Sequence, residues 1–150
     1  MSVAQDTGIV GIAHVIQLSV APVFLLSGVS AMLGVLSARL GRIIDRARML
    51  ETRVLNETET AIQVRLHGQI DVLARRARLV SHAISMCTIC ALLICTVVIS
   101  LFVGAFFSKD VSNVIGITFI AALTALGGGL ITFLREIYLA TRNLRIGVVK

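Results

Sequence analysis

The sequence predicts an all-α integral membrane protein with three transmembrane helices, the first two prolonged into an antiparallel helical hairpin on the cytoplasmic side. Three observations predict it. Apolar residues make up 57% of the 150, with one proline and no tryptophan, and mean hydropathy is +0.95. A soluble domain this small has too much surface for its volume to hide that much apolar material. The charges are segregated, nine of the 14 Lys and Arg lying between Arg39 and Arg78 and four more between Arg135 and Lys150. Between these blocks, Thr7–Ala38, Leu79–Ser108 and Val111–Leu134 carry no Asp, Glu, Lys or Arg. About 20 apolar residues suffice to cross a 30 Å hydrocarbon core as a helix, and a charge left there costs about 3 kcal/mol or more.

The first span is expected over residues 14–38, on a helix that begins in the Gly8–Gln17 region. The positive leader of a signal peptide is missing and Gln17 interrupts the apolar stretch, so the segment is expected to be retained. Pro22 removes the N–H that would bond the Leu18 carbonyl and is expected to kink the helix. No breaker follows before Asn56, so the helix should leave the membrane and continue through Arg39–Arg53. Asn56-Glu-Thr-Glu59 resembles a capping box, which would fold the chain back at Leu55–Thr58 and start a second helix. Asn56-Glu-Thr58 is also a glycosylation sequon, accidental on an inner face.

Both arms of this hairpin, residues 39–80, carry an apolar stripe at three-four spacing, as in a coiled coil. The first is Leu33, Leu36, Leu40, Ile43, Ala47, Leu50 and Val54. The second is Ile62, Leu66, Ile70, Leu73, Ala77, Val80 and Ile84. Asp71 four residues before Arg75 adds a helix-surface ion pair worth tenths of a kcal/mol. The second span follows at 81–107, a short outer turn at Ser108–Asn113, the third span at 113–135 and a tail at 136–150, all within one membrane domain, 1–150. The arginine-rich segment lies inside by the positive-inside rule, the balanced Lys109–Asp110 link outside, so the N-terminus faces out and the C-terminus in.

Several residues invite a role. Ser27, Ala31, Gly34, Ala38 and Gly41 form a four-three-four-three row of small residues, with Ser30 and Ser37 beside it. Small residues let helix backbones approach closely in lipid. The row could pack within the chain against Ala121, Ala125 and Gly129 of the third span, or serve as a subunit contact or a serine-lined path at an oligomer axis. Arg39, Arg42, Arg46 and Arg53 share a helical stripe that starts where the first span ends. The plain expectation is anchoring to anionic lipid headgroups, with pairing to Glu51, Asp45 or Glu136; the sharper one is a basic inner mouth that gathers anions.

Cys87 and Cys90 are weak metal candidates: residues three apart share a helix face, yet the pair lies in an apolar span with no second pair, and Cys95 is left over. His14 and Gln17 sit one turn apart near the outer end of the first span, at headgroup level if the helix starts shallow. Gly127-Gly-Gly129 permits close contact or bending and has neither the preceding strand nor the Lys-Ser/Thr of a phosphate loop. No paired carboxylates, Ser-His-Asp set or zinc-protease motif is visible, so neither an enzyme nor a cofactor is expected. The pI near 10.3 belongs to the membrane-flanking arginines, and no aromatic residue interleaves with them as nucleic-acid stacking would want.

Ile16-Gln-Leu-Ser-Val-Ala-Pro-Val-Phe-Leu-Leu-Ser27, Arg39-Leu-Gly-Arg-Ile-Ile-Asp-Arg-Ala-Arg48 and Leu134-Arg-Glu-Ile-Tyr-Leu-Ala-Thr-Arg-Asn-Leu-Arg145 together resemble a bacterial membrane family, domain of unknown function 2721. The resemblance covers most of the chain and implies a small bacterial inner-membrane protein, with no catalytic residues to carry over. The functional expectation is a homo-oligomer in the lipid bilayer, channel-like, with Ser30, Gly34 and Ser37 near its axis. The alternative is a non-conducting scaffold or regulatory subunit whose hairpin binds a partner.

Overall fold

The structure, a computed structural model, describes residues 3–57, 59–107 and 111–144, with side chains described between Ala13 and Thr141. These residues form three helices and no strand: α1 (Val3–Asn56), α2 (Thr60–Phe107) and α3 (Ser112–Leu144). Within them Ala13–Asn56, Thr60–Phe107 and Ser112–Thr141 are each long and apolar enough to cross a membrane. At 1.5 Å per residue, the 54 residues of α1 and 48 of α2 reach about 80 and 70 Å, more than twice a 30 Å hydrocarbon core. The Lys109–Asp110 link, Thr58 of the sequon, the side chain of Asp6 and the Arg142, Arg145 and Lys150 side chains of the tail lie outside the described residues.

Two boundaries differ from expectation. The first helix begins at Val3 and not in the Gly8–Gln17 region, and nothing from Val3 to Thr7 is a breaker. It is helical on both sides of Pro22, which is buried. The start of α2 also moves, because Asn56 is the last residue of α1 and caps nothing downstream. The Glu59 carbonyl accepts from the N–H groups of Ile62 and Gln63, both at 3.1 Å, so Glu59 stands at the N-cap. The connection is tied by Gln63, whose Nε2 donates to the Glu57 carbonyl at 2.7 Å. A side chain one turn into α2 therefore ties down the connection from the acceptor side, by donating to a carbonyl just past the end of α1.

The chain divides into two compact units, one of Met1–Met32 with Cys87–Leu126 and one of Leu33–Met86 with Gly127–Lys150. The first buries Ser19, Pro22 and Val29 of α1, Cys87, Cys90, Ile94 and Val97 of α2, and Ala122 of α3. The second buries Leu36 and Ile43 of α1, Leu73, Val80 and Ala83 of α2, and Gly129 and Glu136 of α3. Both sets follow one rule. In α1 the buried residues recur every seven positions from Pro22, with Ser19 three before it, and in α2 they alternate by threes and fours from Val80, with Leu73 seven before it. A 3.5-residue average keeps one face of a helix turned toward its neighbours. In α3 the same line runs Ala122, Gly129, Glu136, and its third member is a carboxylate.

Outside this narrow seam the helices present large apolar side chains, among them Phe24, Leu92, Ile99, Ile117 and Leu134. Such a surface is stable only where lipid or another helix replaces water. Hydroxyls within the runs bond their own helix: Ser30 donates to the Leu26 carbonyl at 2.9 Å and Thr96 to that of Leu92 at 3.0 Å. Such bonds satisfy these hydroxyl donors at membrane depth, and no buried side-chain N or O atom among the described residues lacks a partner.

Candidate functional site

The second unit holds a charged cluster on its seam. Glu136 is 0% exposed and follows directly on the third charge-free run, Val111–Leu134, by way of Arg135. Its Oε2 accepts from Arg39 Nη1 at 2.7 Å. Its Oε1 accepts from Arg76 Nη2 at 2.8 Å and Arg76 Nε at 3.2 Å. Both carboxylate oxygens are thus engaged by charge-assisted bonds, which are short and strong away from water. The Arg39 guanidinium also stands 5.1 Å from the centroid of the Phe133 ring, close enough for cation–π attraction.

Helix spacing explains how three distant residues meet. Arg39 lies three positions after buried Leu36, Arg76 three after buried Leu73, and Glu136 seven after buried Gly129. Each helix therefore contributes one charged residue to a position that the repeat reserves for packing. A cavity of about 260 Å³ adjoins the cluster, lined by Arg39, Arg42, Arg46 and Arg76 with Glu136 and an apolar wall of Ile43 and Leu73.

The expected arginine stripe is accordingly divided. Arg39 is half-buried and paired with Glu136, one of the partners expected for it. Arg42, Arg46 and Arg53 are exposed; Arg42 Nε reaches only the Ala38 carbonyl, at 3.4 Å, and Arg53 falls in the last turn of α1, away from the cavity. Arg76 went unrecognised in the sequence. Its signal was its place in the three-four line of Leu73, Val80 and Ala83, where an arginine has to find a buried partner.

The small-residue row lies on the opposite side of α1. Ser27, Ser30, Ala31, Gly34, Ser37, Ala38 and Gly41 are all exposed. A Cβ added at Gly28, Gly34 or Gly41 would meet no atom within 4 Å. Packing of the row against Ala121, Ala125 and Gly129 within the chain is therefore not what α1 adopts. The reason is geometric. Residues two apart on a helix lie 200° round from each other, so a face led by Leu36 turns Gly34 and Ala38 outward. The larger residues on the buried side supply more dispersion contacts to the facing helices. On α3 the inward line passes through Ala122 and leaves Ala121 exposed.

Cys87 and Cys90 are buried free thiols at adjacent steps of the α2 seam, in the first unit, and Cys95 is exposed. Among the described residues no group of three or more His, Cys, Asp or Glu could hold a metal ion. Their spacing is that of the packing repeat itself, which gives two small soft side chains a place in a tight seam. His14 and Gln17 are exposed. At Gly128 an added Cβ would touch only Met86 Sδ, at 3.8 Å.

Three helices able to cross a membrane, with apolar outer faces, place the chain among all-helical, multi-pass membrane proteins. Within that class it belongs to the family described as "Protein of unknown function (DUF2721)", which it matches over residues 19–146. The match takes in Pro22, the small-residue row and all three members of the Arg39–Glu136–Arg76 cluster. No curated protein and no solved structure matches the chain.

Proposed function

We propose that this chain is a homo-oligomeric membrane protein of a bacterial inner membrane, self-associating through the small-residue face of α1. The observation that carries the reading is the openness of that face, from Ser27 to Gly41, on a helix whose other side is occupied by its own chain. Lipid gains little from a row of glycine, alanine and serine, whereas a second helix can approach its backbone closely. The seven-residue period of Ser27, Gly34 and Gly41 suits a like helix crossing at a shallow angle, about 20°. A second copy supplies that helix with the same spacing.

In this arrangement the arginine-bearing parts of α1 and α2 form an antiparallel hairpin in the cytoplasm, with the N-terminus outside and the C-terminus inside. Ser30, Gly34 and Ser37 lie near the oligomer axis, and the exposed Arg42, Arg46 and Arg53 ring its inner mouth, as in a channel that concentrates anions. The test is Gly34→Leu. A Cβ at this exposed position meets no atom within 4 Å in the protomer, so insertion and melting should persist while native mass in detergent falls to that of the monomer. Ion flux from liposomes should vanish with it. An unchanged mass would overturn self-association through this face; a lost oligomer from a wild type that never conducted would leave the association and remove the pore.

A second reading is a non-conducting scaffold whose hairpin binds another protein. It is favoured by Met49, Leu55 and Val64, exposed apolar residues beyond the first charge-free run and before the second. Leu73 is core, so charge belongs at Met49 and Val64 in a test of partner binding.

A further inference from the structure

The cavity beside Glu136 has an unusual charge balance. Four arginines, Arg39, Arg42, Arg46 and Arg76, line it against one carboxylate, which leaves a threefold positive excess around about 260 Å³ of space. Glu136 does not exhaust the donors of its own partners. Each guanidinium carries five N–H groups; Arg39 gives one to Glu136 and Arg76 gives two. Arg46 makes no ion pair or hydrogen bond among the described residues, and Arg42 only the long bond to Ala38. A glutamate wholly removed from solvent holds two of the four guanidiniums in fixed orientation, so the remaining donors of Arg39 and Arg76 are arranged in advance of any ligand.

From these features we infer that the cavity is a phosphate-binding site. Planar guanidinium forks match phosphate oxygens bidentately, and several forks around one small space suit an anion with three or four oxygens better than chloride or a carboxylate. The volume lies below the roughly 300–1,000 Å³ of sites that enclose drug-sized ligands and suits a phosphate group with a small substituent. Position supplies the source. Arg39 immediately follows the first charge-free run, Arg76 precedes the second by three residues, and Glu136 follows the third by two. All three thus stand at the border where lipid phosphates lie, and the apolar wall of Ile43 and Leu73 is compatible with a glycerol backbone. The shared chemistry is phosphate, presented by a lipid headgroup or free in solution, and a doubly charged phosphomonoester should be held more tightly than a phosphodiester. This site is complete within one chain and is independent of self-association through α1.

The experiment compares the wild type with Arg42→Gln/Arg46→Gln, in which the pair bound to Glu136 stays intact, and with Arg48→Gln/Arg53→Gln, a charge-matched control outside the cavity. Each purified protein in detergent is titrated with phosphatidic acid, phosphatidylglycerol, phosphatidylcholine and inorganic phosphate, and bound ligand is read by native mass spectrometry and by the shift in melting temperature. Phosphatidic acid should bind the wild type and the control alike, and the cavity variant at least about tenfold more weakly for each arginine removed. Saturable binding of inorganic phosphate, lost in the same variant, would support the site with a soluble source. Should Arg42→Gln/Arg46→Gln melt early without ligand, Arg46→Gln alone carries the comparison. Equal losses in the cavity and control variants would show diffuse attraction to basic residues and overturn the site, as would the absence of binding by any phosphate compound.

Discussion

The unit of Met1–Met32 with Cys87–Leu126 and the unit of Leu33–Met86 with Gly127–Lys150 draw on the same three helices and the same spacing of buried residues, yet they fill their interiors differently. Apart from Ser19, whose hydroxyl donates to the Ile16 carbonyl of its own helix at 2.8 Å, the first uses side chains that ask nothing of their neighbours except volume: Val29, Cys87, Cys90, Ile94, Val97 and Ala122. The second spends one layer on an ion cluster in which Glu136 answers two arginines. Dispersion and shape sort helices weakly in lipid, where no hydrophobic effect drives one helix onto another. A buried charged layer sorts them strongly, because any register that leaves Glu136 unmatched strands a carboxylate away from water. The apolar unit is expected to be tolerant and the charged unit selective.

The largest effect follows from stranding that carboxylate. Arg39→Gln combined with Arg76→Gln removes both guanidiniums from Glu136 and should cost about 3–5 kcal/mol, read as a fall in unfolding free energy in detergent. Adding Glu136→Gln should recover most of it, because the buried group then carries no charge to compensate. Either arginine changed alone should cost less, since each carboxylate oxygen has its own donor and one would remain served. Failure of the third substitution to rescue the first two would mean that the arginines act by packing their stems, Arg39 against Phe133 included, and the contrast between the units would dissolve.

An effect of similar chemistry but without charge is available in the apolar unit. Ile94 is 0% exposed, and Ile94→Ala should cost about 2–5 kcal/mol through lost contacts and the cavity left behind. No second substitution elsewhere in the seam should rescue it, since a void has no partner. Rescue at a distance would show that this interior rearranges freely.

Much of this contrast was legible beforehand in one half and hidden in the other. The apolar stripes read from spacing alone coincide with the seam: Leu36, Ile43, Leu73 and Val80 are buried, and of the full set only Ile62 is exposed. Period and hydropathy sufficed because helices in lipid are long, uninterrupted and forced to satisfy their own backbones. The charged layer was harder. Glu136 is one of three acidic residues that could pair with the arginines of α1, and nothing local separates it from Glu51 or Asp45; what does is the seven-residue line through Ala122 and Gly129. Arg76 sits in a run of charged residues that hides the repeat to which it belongs. The side of α1 taken by the small residues was equally undecided, because glycine and alanine are as suited to packing inside a protomer as between two. The cap moves from Asn56 to Glu59 within one polar stretch, whose composition does not single out the residue that starts α2.

The smallest expected effect sharpens the description of the apolar unit itself. Leu92 lies two residues before Ile94 on the same helix and is 64% exposed, so the pair holds chain position nearly constant while reversing the face. In water Leu92→Ala would improve solubility; in detergent or lipid its removal exchanges one apolar neighbour for another and should change stability by no more than about 0.5 kcal/mol. The unfolding free energies of Leu92→Ala and Ile94→Ala, measured side by side, therefore test whether the seam alone holds the helices together. A loss at Leu92 approaching that at Ile94 would mean that something besides solvent covers this face, and dilution then identifies it. A penalty that fades as protein is diluted belongs to a second copy, and one that persists places Leu92 in contacts of its own chain.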